Sequence, residues 1–397
     1  MRILVDVRHL ASPQIAGVGG YTKSLLHTLF EIDRENEYIL LSSGRIPLSS
    51  RTNVRDLLAF GDPSSWTPRD DTNKQITHIH VPLPNKLLNL RTLLLRHPTI
   101  NWHVREPVDL VFLPNLNFAI LPQDIPTVLT IHDLSFQLYP EFFSHRMQAW
   151  HTATRPAELI AQSRSIIVPS SSSQHDLERL FETPREKSHI IPHGISTNFS
   201  SKMLACDHGV RSRLRLPKRF VLFVGTIEPR KNLLSLIDGI KEYRDRTHDD
   251  LHLLLIGGWG WRSHGVRRRL WKRDTSGWVH QLGYIDHTHL PAVYRSAQAT
   301  IFPSIYEGFG LPILESLASG TPIITSHTSS MPEVGGDAAI YIDPYNSRDI
   351  AQALRGLMGS SSLQKYLRER GIERARQFTW EKTARETLKV FKQSIQP

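Results

Sequence analysis

Two carboxylates, Glu307 and Glu315, lie in the run Ala299–Ser326 with seven residues between them, Gly308 and Gly310 among these. A carboxylate beside a close-approach loop can accept hydrogen bonds from paired hydroxyls, as on a ribose or a hexose. The glycines let the backbone come near such a ligand. The alternative is one acid that stabilises a helix dipole and another that is a solvated loop residue. A second group is Gly225, Glu228, Arg230, Lys231 and Asn232, in the string GTIEPRKN. Arg takes phosphate oxygens as a fork and Lys as a point charge, so the pair is a ready diphosphate clamp; the competing reading is two solvated bases at a turn. In VLTIHDLSF, His132 and Asp133 set an imidazole beside a carboxylate, and Asp133 is also a suitable cap for the segment that follows. Gly17, Gly19 and Gly20 lead into a helix read from Tyr21. There the backbone can approach phosphate or sugar, although Thr22 breaks the G-x-G-x-x-G dinucleotide pattern and a simple tight turn competes.

The elements that carry these residues alternate between strand and helix. Apolar runs predict strands at Ile3–Val7, Tyr38–Leu41, Ile76–Val81, Val108–Leu113, Thr127–Ile131, Ser165–Pro169, His189–Pro192, Arg219–Gly225, His252–Ile256, Ala299–Pro303 and Pro322–Thr325. Helical patterns lie between several of them, at Tyr21–Glu31, Lys86–Arg96, His145–Ser163 and Ser173–Phe181. They recur at Asp286–Ser296, Ser347–Met358, Leu363–Phe378 and Glu381–Ser394. Such alternation means α/β architecture with parallel sheets covered on both faces, and ligands held at the carboxyl ends of the strands. Pro312 near the start and Gly320 past the end of the helix after Gly310 are the expected punctuation, which puts Glu315 in its first turn. The polar, Pro-rich stretch Gly44–Lys74 reads as a long irregular insertion, and His193–Asp207 as the linker between two domains. The leucine-rich segment after Lys86 fits either a basic amphipathic helix on a membrane or a helix packed on its own sheet, and the reading adopted is the second.

The E-x7-E spacing resembles the signature of retaining glycosyltransferases of family 4, which have the GT-B fold. The likeness runs on through Pro332, Glu333, Val334, Gly336 and Asp337 to Asp343 and Pro344, and EPRKN after a V-G strand end is a second family signature. The resemblance implies two Rossmann-like doubly wound domains facing a cleft. Residues 1–200 would form the acceptor-binding domain and residues 201–379 the sugar-nucleotide domain, with a last helix over 380–397 packing back on the first. It implies catalytic roles for His132, Arg230, Lys231 and Glu307. Donor binding would fall to Gly19, Gly225, Gly308, Phe309, Gly310, Leu311 and Glu315, and acceptor contacts to Gly17, Gly20 and Asp133. No metal and no cofactor is implied, because two basic side chains carry the diphosphate and the sugar nucleotide is a co-substrate. The run SSMPEVGGDAAIYIDP looks most like bacterial mannosyl- and rhamnosyl-type transferases of surface polysaccharide assembly, hence a lean towards GDP-mannose, with a glycan or lipid-linked sugar as acceptor.

A length of 397 residues suits two α/β domains, and the hydrophobic share of 40% with 22% charged is that of a globular chain. No run of about eighteen apolar residues exists, the N-terminus reads as a strand, not a signal peptide, and the single cysteine, Cys206, excludes an intramolecular disulfide. These features suit the cytoplasm. The net charge of +10 favours anionic partners, among them nucleotides and the inner face of an anionic membrane. Three rivals stay open, one of them a catalytically silent scaffold, although every motif position named keeps a chemically competent residue. A GT-B-fold sugar-nucleotide epimerase needs no acceptor but is disfavoured by EPRKN together with E-x7-E. A basic nucleic-acid binder explains the charge but not the paired acids, so no nucleic acid is expected.

Overall fold

The computed structural model describes residues 1–11, 17–44 and 76–396; the insertion read over 44–74 lies, Gly44 apart, outside them. The chain divides into two compact units. One comprises Met1–Leu134, His145–Gly194 and Trp380–Pro397, the other Ser135–Ser144 and Ile195–Thr379.

The first unit is built, among the described residues, on β1 (Arg2–Asp6), β2 (Glu37–Ser43), β3 (Ile76–Val81), β4 (Leu110–Leu113), β5 (Thr127–Thr130), β6 (Ser165–Val168) and β7 (Ser188–Ile190). They lie in the order β3-β2-β1-β4-β5-β6-β7, every pair parallel. The central strands are unbroken apolar runs, ILV in β1 and LVFL in β4, because a parallel sheet is buried on both faces. Strand order reverses between β1 and β4, the switch point where such sheets hold ligands. The C-terminal helix Trp380–Ser394 belongs to this unit: Phe391 meets Phe112 edge-on at 5.0 Å, and Ser394 Oγ donates to Ser165 Oγ at 2.8 Å.

Three local expectations fail here for physical reasons. The helix read from Tyr21 begins at Val18 behind Gly17, whose φ is 54°, so Gly19 and Gly20 are first-turn residues and not a loop. The single helix expected over His145–Ser163 is two, His145–Ala153 and Pro156–Gln162; Arg155 between them has φ 52°, as Pro156 lacks an N–H and disfavours α conformation before it. The helix Asn85–Leu95 is not packed along its leucines. Only Leu88 and Thr92 are buried, while Leu87, Leu90, Leu94 and Leu95 are 50–69% exposed. Its leucines run around the helix, and only the i, i+4 line of residues 88 and 92 faces inward.

The second unit carries β8 (Phe220–Val224), β9 (His252–Ile256), β10 (Val279–Gly283), β11 (Ala299–Phe302), β12 (Ile323–Ser326) and β13 (Ala339–Ile342). Their order is β10-β9-β8-β11-β12-β13, again parallel throughout, and the switch point falls between β8 and β11. Sequence reading did not anticipate the four-residue β13. The division between the units falls inside the segment read as a linker, and the rest of that segment belongs to the second unit. The units divide after Gly194, Phe199 is buried, and Asp207 is buried against Arg295, which donates two hydrogen bonds to it at 2.7 and 2.8 Å. In a sequence, a buried acid held in a fork cannot be told from a solvated one. Where β8 and β9 end side by side, Gly257 has φ 137°, and a Cβ there would lie 2.0 Å from the Gly225 carbonyl oxygen.

Candidate active site

The loops that follow β8 and β11 leave the two strands at the switch point, so the topology of the second unit makes them neighbours. Gly225, at φ 152°, turns the chain out of β8. Glu228 opens the 3-10 turn Pro229–Lys231, and Asn232, at φ 56°, passes it on to the helix Leu233–Thr247. The turn is tied to the second loop by the Ile305 N–H, which donates to the Arg230 carbonyl at 2.9 Å.

Side chains complete the junction. Arg230 Nη1 donates to Glu307 Oε2 at 3.0 Å and to the Tyr306 carbonyl at 3.1 Å, while its Nε and Nη2 donate to Glu228 Oε1 at 3.1 and 2.9 Å. Lys231 Nζ donates to Glu307 Oε1 at 2.5 Å and sits 5.0 Å from the Phe302 ring centroid. Two acids and two bases thus share a buried network. Burial pushes the Glu307 carboxyl up, but Arg230 and Lys231 outweigh it and hold it below the usual range. For Glu228 burial prevails over the same two bases, with Glu307 adding to it, and its carboxyl is raised.

The Glu307 loop is stitched from behind by serines. Ser329 Oγ accepts from the Glu307 N–H at 2.9 Å and donates back to its carbonyl at 2.5 Å; Ser330 Oγ donates to the Glu307 and Phe309 carbonyls at 2.8 and 2.9 Å. Gly310, at φ 102°, caps the helix Leu311–Ala318. Glu315 therefore stands in the second turn of that helix, one turn further in than the sequence suggested. Its Oε2 accepts from the Tyr294 hydroxyl at 2.7 Å, and burial, partly offset by that bond, pushes its carboxyl up to about 7. The Phe309 ring turns inward, 6.0 Å from Phe378, and Leu311 packs against the core, so the side chains of both are taken up by packing.

In the first unit, His132 stands two residues past the end of β5. Its Nε2–H donates to the Pro114 carbonyl, 2.9 Å away beyond β4, which leaves Nδ1 as an acceptor. Burial lowers its pKa to about 4, so the ring is neutral at ordinary pH. Tyr21 meets it edge-on at 4.6 Å, His193 lies 5.4 Å from it, and Trp380 stacks near His193 at 6.2 Å. Nearby, Asp6 is clasped by Arg8 through two bonds of 2.7 Å, and Arg8 also donates to the Phe118 carbonyl, which fixes the loop after β4. Asp133 acts electrostatically on His132 and His151.

The structure thus brings Arg230, Lys231 and Glu307 into direct contact, with Gly225 beside Lys231. It anchors Glu315 separately on Tyr294, and it carries His132, Asp133, Gly17, Gly19 and Gly20 in the first unit. Sequence reasoning gave no role to Glu228, Tyr294, Ser329, Ser330, Tyr21, His193 or Trp380. The strings IEPRKN, SSMPEV, IPHGI and FTWEKT contain five of these, so spacing to a known site residue was the available signal.

Two switch-point α/β units, one with paired bases clasping an acid between its switch strands, give this chain the architecture of a GT-B glycosyltransferase. Among solved structures, sucrose-phosphate synthase from Thermosynechococcus elongatus matches with a TM-score of 0.74 at 19% identity, over 99% of this chain and 98% of that one. HepE from Anabaena, in complex with UDP and glucose, matches at 0.70 and 15% identity over 99% of each chain. The family model described as glycosyl transferases group 1 matches residues 210–374, and that described as Glycosyltransferase Family 4 matches residues 56–199. The O-antigen chain mannosyltransferase B of Escherichia coli is 27% identical over 397 residues, covering 99% of this chain and all of that protein. The chain belongs to the group 1, family 4 glycosyltransferases, and it is a glycosyltransferase.

Proposed function

We propose that the protein is a retaining transferase that moves a mannosyl unit from GDP-mannose to a glycan or lipid-linked acceptor in bacterial surface polysaccharide assembly. The observation that carries the reading is the Arg230–Lys231 pair held at the switch point of the second unit. Its cations stabilise the departing diphosphate, Glu315 accepts from the ribose hydroxyls, and Glu307 with the backbone of Gly308–Leu311 takes the hexose and the phosphate next to it. His132 accepts a hexose hydroxyl through Nδ1, Gly19 borders the donor, and Gly17, Gly20 and Asp133 border the acceptor. The bond from the anomeric carbon to the diphosphate breaks. The acceptor hydroxyl attacks the same face of the oxocarbenium-like centre, and its proton goes to the leaving phosphate. Catalysis then rests on positioning and on charge stabilisation, with neither metal nor cofactor required. The full-length match to an O-antigen mannosyltransferase supports the choice of sugar and process, and the UDP and glucose bound by HepE support a nucleotide-sugar donor.

A thermal-shift panel of GDP, UDP, dTDP and ADP, with EDTA and then with magnesium, tests the donor class, since a ligand selective for the folded state raises Tm. A rise with GDP in EDTA is expected. A flat panel with folded protein argues for the nucleic-acid alternative, and donor isomerisation without an acceptor argues for the epimerase. The exposed leucine face of the helix Asn85–Leu95, flanked by exposed Lys86 and Arg91, adds peripheral docking on the cytoplasmic face of an anionic membrane to this reading.

A further inference from the structure

We infer that Glu228 is a positioning residue that holds the Arg230 guanidinium in place and takes up one proton as a nucleoside diphosphate binds. The inference rests on the assignment of Arg230 and Lys231 to the diphosphate.

The two acids of the network are not equivalent. Each oxygen of Glu307 has its own base, Oε1 taking Lys231 and Oε2 taking Arg230. Glu228 spends only Oε1, which accepts both Nε and Nη2 of Arg230, while Oε2 is buried with no hydrogen-bond partner. A buried carboxylate oxygen without a donor is costly when charged and costs no existing bond when protonated. Charge decides when that happens. Glu228, Arg230, Lys231 and Glu307 sum to zero, and among the described residues Arg230, Lys231 and Glu307 are the charged groups that act on Glu228, from its own turn and from the loop after β11. The segment after β9 approaches it with the backbone of Gly260. A diphosphate drawn onto the two bases brings at least two negative charges into this network. The least supported carboxylate then takes a proton from solvent, on Oε2, and keeps Oε1 for Arg230. The direction of its shift, raised where that of Glu307 is lowered, agrees.

Glu228→Gln mimics the protonated form, since its amide oxygen still accepts from Arg230. Glu228→Ala removes the support. Calorimetry with GDP and UDP, in buffers of different ionisation enthalpy at about pH 8, counts protons taken up on binding, with Glu315 and the terminal phosphate already ionised. The wild type is expected to take up close to one proton there, so that its affinity falls as pH rises, and Glu228→Gln none, with its affinity nearly independent of pH above about pH 8. Glu228→Ala should lose affinity about tenfold. A structural residue alone would leave the proton count unchanged. Nucleotide binding without uptake in the wild type, or equal uptake in Glu228→Gln, overturns the inference and leaves the clamp standing. No binding of either nucleotide by folded wild type removes the clamp, and the inference with it.

Discussion

Arg230 and Lys231 are tied to Glu307 so directly that their substitution acts on stability as well as on rate. Lys231→Ala leaves one oxygen of a buried carboxylate without its base, a change that costs about 3–5 kcal/mol when such a pair is broken. Turnover should also fall by about 10²–10³-fold if the ammonium stabilises the departing phosphate. The double variant Lys231→Met, Glu307→Gln separates the two effects. Its melting temperature should recover towards wild type while turnover stays low; recovery of both would remove the lysine from the chemistry. Glu315 gives a pH signature. Its folded pKa, about 7, lies above the ordinary carboxyl value, so between the two the folded chain binds more protons than the unfolded one and stability falls as pH rises. Only the carboxylate accepts from both ribose hydroxyls, so in the Glu228→Gln background, where no proton is taken up on binding, nucleotide affinity should rise through pH 7 and then level off. Glu315→Gln should flatten that curve and raise the melting temperature above pH 7; a curve unchanged by the substitution would place the ribose elsewhere. His132, neutral by burial, should contribute no inflection near its ordinary pKa to the rate profile, and His132→Ala should lower turnover more than donor affinity.

At the level of elements, two strands can end side by side and present a binding turn only if their backbones approach closely. Gly257 is where they do so, and Gly257→Ala forces a methyl group against the Gly225 carbonyl in a backbone region that side chains rarely adopt. Loss of more than about 3 kcal/mol, or failure to accumulate folded protein, is expected from urea titration and expression yield. Gly20→Ala is the control: a Cβ there meets nothing within 4 Å, and the melting temperature should hold. Much of this layer was legible beforehand, since β3 and β9 and the helix Ser347–Met358 fall where their patterns put them. A buried parallel strand is a short apolar run, and punctuation by Gly and Pro marks its exits. What was not legible depends on partners distant in sequence. Arg230 and Lys231 could be named from their types and spacing, but their engagement by Glu307, 76–77 residues away, follows from a strand order that no local pattern specifies. The same holds for Glu315 on Tyr294 and for the serines behind Glu307. The leucine helix fails differently: its composition promised a packed stripe, and geometry allowed only one line of it to face the sheet.

At the scale of the whole chain, the net charge of +10 and the helix Asn85–Leu95, which turns four leucines outward, bear on where the protein works. No helix among the described residues is long and apolar enough to cross a membrane, so any attachment by helix would be at the surface. Leu87, Leu90, Leu94 and Leu95 are each at least half exposed, Trp102 is 60% exposed, and Lys86, Arg91 and Arg105 are exposed around them. Burying a leucine yields about 1.5–3 kcal/mol when complete, and each base near an anionic surface adds about 1 kcal/mol. A few half-inserted leucines with three bases therefore suffice for reversible binding, and neither contribution suffices alone. Sedimentation with vesicles should show binding to phosphatidylglycerol-rich membranes, little to phosphatidylcholine, and weakening as salt screens the bases. Leu90→Asp with Leu94→Asp should reduce binding at least tenfold while leaving the melting temperature and turnover on a water-soluble acceptor unchanged, because both side chains lie outside the core. Equal binding by the variant would assign the attraction to charge alone. If wild type ignores anionic vesicles yet the double variant shifts an oligomer to monomer in light scattering, the leucine face meets a second copy of the chain and not a lipid surface.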